Sequence, residues 1–319
     1  MRGHNPKRVR FQLDKKFTDV KTIFSLDVRS LSLFRILLAV TLILDTLNRI
    51  YRVPEFYSDH GIVPRELVNL GQFDSVYHFQ LMFLSGNEWF SYLFLGILLV
   101  CSVLLLIGFK TRITTFICWL LLCSVIIRDP LTTHAGDTLL IVLLLWSLFL
   151  PLGNWLSLDS YRNKHQKYRT KQAFSAATIA MYVQISLVYI MSGIFKSNYD
   201  SWTSGEHLYN TLSRFDFVEP LAFVIYPYEQ LLNFLTHFTL YLELFGPLLF
   251  FIPVWFLFFR VFGIFLFVIL QISIGLTMDV GLFPLVSSAG VLVFYQLHYG
   301  TKSFHPFINL VKSIPVPQF

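Results

Sequence analysis

Residues Tyr182 to Trp202 read YVQISLVYIMSGIFKSNYDSW and hold the residue with the most chemical potential in the chain, Lys196. In a helix, Tyr182, Ser186, Tyr189, Gly193 and Lys196 recur at the spacing that places them on one face of an otherwise apolar rod. Two readings of that lysine stand side by side. At the end of an apolar span it is an interfacial anchor, with its stem in lipid and its ammonium among headgroups. In a partly dry cavity between packed helices it is a base, because desolvation favours the neutral amine. Glu243, in LNFLTHFTLYLELFGPLLFF, falls near the middle of an apolar run, where a carboxylate must be protonated or find a cationic partner. Thr236, Thr239, Glu243 and Gly246 share one face there, His237 and Tyr241 a neighbouring one, and Gly246–Pro247 predicts a kink. In RDPLTTHAGDTLL, Pro130 and Gly136 interrupt a helix, Thr133 or Asp137 caps the next, and His134 lies beside it. A histidine and an aspartate at an opening helix N-terminus suit anion binding or the tuning of an acid.

The elements that position these groups follow from composition. Of 319 residues 55% are hydrophobic, 17% aromatic and only 14% charged, with a mean hydropathy of +0.61, which marks an integral membrane protein. Apolar runs long enough to cross a ~30 Å hydrocarbon layer recur along the chain. They predict an all-α helix bundle of about eight spans, near 31–50, 88–109, 113–128, 137–153, 173–195, 229–252, 254–278 and 281–298. Residues 1–25 read as a basic tail with no cleavable leader, 26–298 as the transmembrane domain and 299–319 as a short C-terminal tail, with no separate soluble domain.

The formal charge of +6 needs no nucleic-acid partner. Arg2, Lys7, Arg8, Arg10, Lys15, Lys16 and Lys21 precede the first span, Lys110 and Arg112 fill the turn after the second, and Arg162, Lys164, Lys167, Arg169 and Lys171 follow the fourth. All fall on one side if the spans alternate, whereas the opposite loops carry Glu55, Asp59, Glu66, Asp74 and Glu88. The positive-inside rule then places both termini in the cytoplasm. In the first span, Arg35 has either a partner in the bundle or a snorkelling stem, and Asp45 and Arg49 are four apart and able to pair. Tyr57, Asp59 and His60 form a compact loop or the rim of an outer cavity. Leu208, Leu212 and Phe215 are spaced for a surface amphipathic helix. Cys101, Cys118 and Cys123 lie within spans as small apolar residues, and no metal-ligand spacing stands out.

Projected by depth, Asp45, His134, Asp137, Lys196, His237 and Gln271 share the outer half of the membrane. That predicts an outward-facing cavity walled by Tyr182 and Tyr189 and suited to an amphiphilic ligand.

SLFRILLAVTLILD, FYSDHGIVP, LLIGFKTRITT, HAGDTLLIVLLLWSLFLPLG, YIMSGIFK with Trp202 and Gly205 after it, and LELFGPLLF occur in that order over residues 25–298. Together they resemble the HTTM family, the membrane domain shared with vitamin K-dependent γ-glutamyl carboxylase. The resemblance implies a reduced quinone deprotonated by a lysine, reaction with oxygen to give a strong base, and proton removal from a glutamate that captures carbon dioxide. The lysine of that scheme falls on Lys196, with Asp137 or His134 as its orienting partner and Tyr182, Tyr189, His237, Glu243 and Gln271 around the cofactor. Two positions depart from the pattern: Asp137 stands where the carboxylase has a catalytic histidine, and Gln271 where many relatives have one. Gln271 hydrogen-bonds but carries no proton. The extramembrane part that holds a protein substrate is missing. Two functions follow: a quinol-dependent, carboxylase-like modifying enzyme of a bacterial cytoplasmic membrane, or a non-enzymatic membrane factor for maturation, export or immunity of a secreted peptide; the expected partners are membrane lipid and a small secreted peptide or partner protein, with no nucleic acid.

Overall fold

In the computed structural model, which describes residues 18–68, 80–162, 172–214 and 216–296, each of the eight apolar runs forms a helix. In chain order these are α1 (Val28–Tyr51), α2 (Glu88–Ile107), α3 (Thr111–Arg128), α4 (Ala135–Ser147), α5 (Ala176–Ser197), α6 (Glu229–Phe245), α7 (Phe256–Thr277) and α8 (Phe283–Leu292). At 1.5 Å per residue about 20 residues cross the hydrocarbon layer. Among the described residues six helices are long and apolar enough: α1, α2, α3, α5, α6 with its following turn, and α7. The runs expected as fourth and eighth spans are instead helices of 13 and 10 residues. Turns from Leu148 shorten α4 ahead of Pro151, while Pro284 starts α8 late and a turn at Val293 ends it. The basic residues before position 18, Asp74, Lys164, Lys167, Arg169, Lys171, Phe215 and the 299–319 tail lie outside the described residues.

Alternation of exposure along the long helices explains the packing. Trp89, Leu93 and Val100 on α2, Val183, Leu187 and Ile194 on α5, and Phe258, Phe265 and Ile272 on α7 face outward, an apolar exterior that fits lipid. The opposite faces close one continuous core. Helices α1 and α2 pack together, α2 and α3 form a hairpin, α5 lies against α6, and the two short helices α4 and α8 touch each other. The hairpin turns at Gly108, whose φ of 73° suits glycine and where a Cβ would collide with Arg35 and Ser157. After Glu243, α6 tightens into a 3-10 turn over Gly246–Phe251, the irregularity that Gly246–Pro247 predicts.

The end of the bundle holding Lys21, Lys110, Arg112 and Arg162 is called the basic end below. Two arginines are wholly buried near it. Arg35 Nη2 donates to the Leu156 carbonyl at 2.5 Å, so its partner is inside the bundle. Arg260 Nη2 donates to the carbonyls of Ile23 at 2.6 Å and Phe250 at 3.1 Å, and its guanidinium packs over Phe256 and Tyr182 at 4.2 and 5.1 Å. It thereby ties the segment before α1 to the turn between α6 and α7. A buried charge-assisted hydrogen bond contributes about 1.5–3 kcal/mol. Arg260→Met is expected to lower the unfolding temperature of the micelle-solubilised protein by several degrees, whereas Arg112→Met, at an exposed position, leaves it unchanged; scanning calorimetry of both variants checks this.

Candidate functional site

The stripe on α5 exists as predicted. Tyr182, Ser186, Tyr189 and Gly193 are buried and Lys196 is half-buried at the helix end, because the other faces of α5 are apolar and turned outward. Tyr182 is a correction. It sits near the basic end, donating its hydroxyl proton to the Ser25 carbonyl at 2.9 Å and stacking on Phe294 at 4.5 Å, so it walls no cavity near Lys196. The reason is length: Tyr182 and Lys196 are four turns apart on a straight helix, roughly 21 Å.

Lys196 finds its partner on α6. Its Nζ lies 2.5 Å from Glu243 Oε1, with side-chain exposures of 22% and 5% for the two residues. The pairing depends on close helix contact: a Cβ on Gly193 would come within 2.8 Å of Leu244, so α5 and α6 pack backbone to side chain here. The ammonium also lies over the Trp202 ring at 4.7 Å, and Trp202 stacks on His207 at 4.1 Å. Lys196 is therefore the cationic partner of the mid-run carboxylate that the sequence left in need of one.

Inward of this pair are three buried oxygens without a hydrogen-bond partner among the described residues: Glu243 Oε2, Tyr189 Oη and Gln271 Oε1. Tyr189 packs its ring on Phe267 at 4.2 Å, and its hydroxyl neighbours Gln271 and Ser287 within the field of Glu243. Helices α5, α6, α7 and α8 thus each bring a polar group to one apolar interior. Unpartnered buried oxygens are costly, and three together make this interior the candidate site.

A second cluster forms around Arg49. Its Nε donates to Asp45 at 2.8 Å, Nη1 to Tyr57 Oη at 2.7 Å and Nη2 to Asp137 at 2.7 Å. Asp137 caps α4 with its other oxygen, which accepts the His134 backbone N–H at 3.0 Å. The His134 ring stands 3.6 Å from that carboxylate and packs between Gly136 and Gly281. This cluster borders a cavity of about 560 Å³ whose lining includes Asp45, Tyr57, His134, Asp279 and Phe283. Phe283 is one helical turn, about 6 Å, before Ser287, so α8 links the cavity to the buried oxygens.

The expected single constellation is therefore two. No described contact joins Asp137 or His134 to Lys196, and the orienting contact expected of them is made by Glu243. His237 is not with either cluster: it bonds the carbonyls of Asn233 and Thr203 at 3.1 Å beside Gly205, on the face of α6 that meets the 200–212 segment. Asp59 pairs with Arg65 at 2.6 Å and leaves the cavity rim to Tyr57. Arg49, Trp202, His207 and Ser287 were not singled out for the site by sequence. Arg49 alone had a signal, its four-residue spacing from Asp45.

A bundle of six span-length helices with an apolar exterior and ion pairs buried inside it defines an integral membrane protein. The model of the HTTM domain matches residues 25–299, nearly the whole chain, and the chain belongs to that family. Comparison with curated proteins and with solved structures finds no match.

Two outcomes follow. Removing the guanidinium in Arg49→Met strands two buried carboxylates and is expected to cost about 3–5 kcal/mol, enough to abolish a folded fraction by size-exclusion chromatography, while Asp45→Asn is tolerated. Burial against Trp202, and after it the Lys196 charge, holds the His207 imidazole below its ordinary 6.5. The folded state then binds fewer protons than the unfolded one, so the Trp202–His207 stack gains stability as pH rises through the window just below 6.5 and loses it as pH falls. Trp202 emission is expected to change on acidification across that window, and His207→Gln removes the change.

Proposed function

We propose that the chain is a quinol-dependent modifying enzyme of a bacterial cytoplasmic membrane, its site opening away from the cytoplasm and its basic end facing it. The positive-inside distribution supports the orientation: Lys21, Lys110, Arg112 and Arg162 share one end, and Lys196 lies at the other end of α5. The observation that carries the reading is the Lys196–Glu243 pair at 2.5 Å beside three buried oxygens that lack partners.

Those oxygens test the fit of a reduced quinone. Glu243 Oε2 and Gln271 Oε1 are acceptors for phenolic hydroxyls, Tyr189 Oη donates or accepts, and Phe267 and Trp202 offer aromatic faces near them. When bound, a reduced quinone supplies reducing equivalents and an ionisable hydroxyl. The chain's own groups then handle the proton. Lys196 Nζ and Glu243 Oε1 are in direct contact, so the group presented to a phenol is the pair rather than a free amine. Gln271 positions by hydrogen bonding alone, where a histidine would also titrate. Asp137, locked to Arg49, and His134 shape the neighbouring cavity rather than the base.

Menadiol, added anaerobically to the full chain in lipid nanodiscs, is expected to quench Trp202 emission saturably. Lys196→Ala and Glu243→Gln each weaken binding at least tenfold, and Trp202→Phe removes the signal. Equal menadiol affinity in Lys196→Ala, measured by equilibrium partition, refutes the assignment.

A further inference from the structure

The cavity beside Arg49 is unbalanced in charge. Two carboxylates, Asp45 and Asp137, share one guanidinium, so acidic groups outnumber basic ones in the buried triad. Arg49 uses three of its five N–H groups here, with Nε, Nη1 and Nη2 serving Asp45, Tyr57 and Asp137. The N-terminus of α4 is engaged too, with the His134 N–H given to Asp137. Asp45 is only 6% exposed, its Oδ2 accepts from Arg49, and its Oδ1 accepts no hydrogen bond among the described residues although Asp45 lines the cavity. One oxygen of this buried, cavity-lining carboxylate is thus left without a hydrogen bond among the described residues.

The rest of the wall reinforces the sign. Asp129 and the exposed Asp279 add two further carboxylates against one further arginine, the exposed Arg52, and His134 also lines the wall. Tyr57, Phe217 and Phe283 contribute aromatic surface, which attracts a cation through the ring quadrupole. A volume of about 560 Å³ is that of a site for a small organic molecule or one or two peptide side chains.

We propose that this cavity is a receptor for an organic ammonium group, such as a peptide amino terminus or a lysine side chain, with Asp45 Oδ1 as its principal acceptor. The site is separate from the Lys196–Glu243 pair and does not depend on the quinol reading. It gives the neighbouring chemistry a substrate or partner that is cationic where it docks, recognised by charge and by aromatic contact.

The test uses three soluble probes of one shape on the full chain in nanodiscs: tyramine, tyrosol and 4-hydroxyphenylacetate, which end in an ammonium, a hydroxyl and a carboxylate. Isothermal titration is expected to show saturable tyramine binding at least tenfold tighter than tyrosol, and none for the carboxylate. Asp45→Asn leaves one guanidinium facing one carboxylate, so it folds, and it is expected to erase the tyramine preference. Asp279→Asn, at an exposed position, weakens tyramine several-fold and guards against a folding effect at Asp45. Equal affinity for tyramine and tyrosol, or a preference that survives Asp45→Asn, overturns the proposal. Menadiol binding measured on the same Asp45→Asn sample separates this outcome from failure of the quinol site.

Discussion

A charge carried into a hydrocarbon layer has no water to solvate it, so each ionised side chain inside this bundle must be answered by another group of the same bundle. That constraint organises the molecule. Arg35 and Arg260 are answered by backbone carbonyls near the basic end, Arg49 by two carboxylates and a phenol, and Glu243 by Lys196. Each solution joins segments far apart in sequence: 237 residues separate Arg260 from Ile23, 88 separate Arg49 from Asp137 and 47 separate Lys196 from Glu243. The polar groups therefore fix which helices are neighbours, while the apolar faces supply the bulk of the packing.

The same constraint is met to different degrees across the bundle. Around Arg260 the polar contacts are carbonyl oxygens and aromatic rings, and the guanidinium is held there as a staple. Arg35 Nε and Nη1 have no partner among the described residues, and around Glu243 the accounting does not close either, because its second oxygen and those of Tyr189 and Gln271 remain without partners. Four helices converge there, and Gly193 lets α5 and α6 come close enough for the pair to form. An incomplete polar set within a well-packed apolar core is where a ligand adds most, since its hydrogen bonds replace nothing that the protein already makes.

Class and family order were legible because both rest on long stretches of sequence: composition for the membrane, and six segments in sequence for the HTTM domain. Faces were legible too. The stripe from Tyr182 to Lys196 and the face of Thr236, Thr239 and Glu243 are buried as helical periodicity requires. Depth was not. Periodicity reports the angle around a helix axis and is silent on where along the axis two helices meet, so Tyr182 was placed in the wall of a cavity shared with Lys196 and His237 was drawn into the site. The lengths of α4 and α8 were hidden for another reason: an apolar run reads alike whether its residues form helix or the turns at Leu148 and Val293. The cation needed by Glu243 was foreseen, but its identity depends on an approach between α5 and α6 that only tertiary packing defines.

The pairing of Lys196 with Glu243 is tested most directly by a double-mutant cycle on thermal stability, using Lys196→Met, Glu243→Gln and the two combined. Non-additivity of at least about 1 kcal/mol is expected, with the double variant more stable than the sum of the single losses implies. Strict additivity would mean that the two side chains do not touch, and the buried polar centre described for this bundle would be wrong.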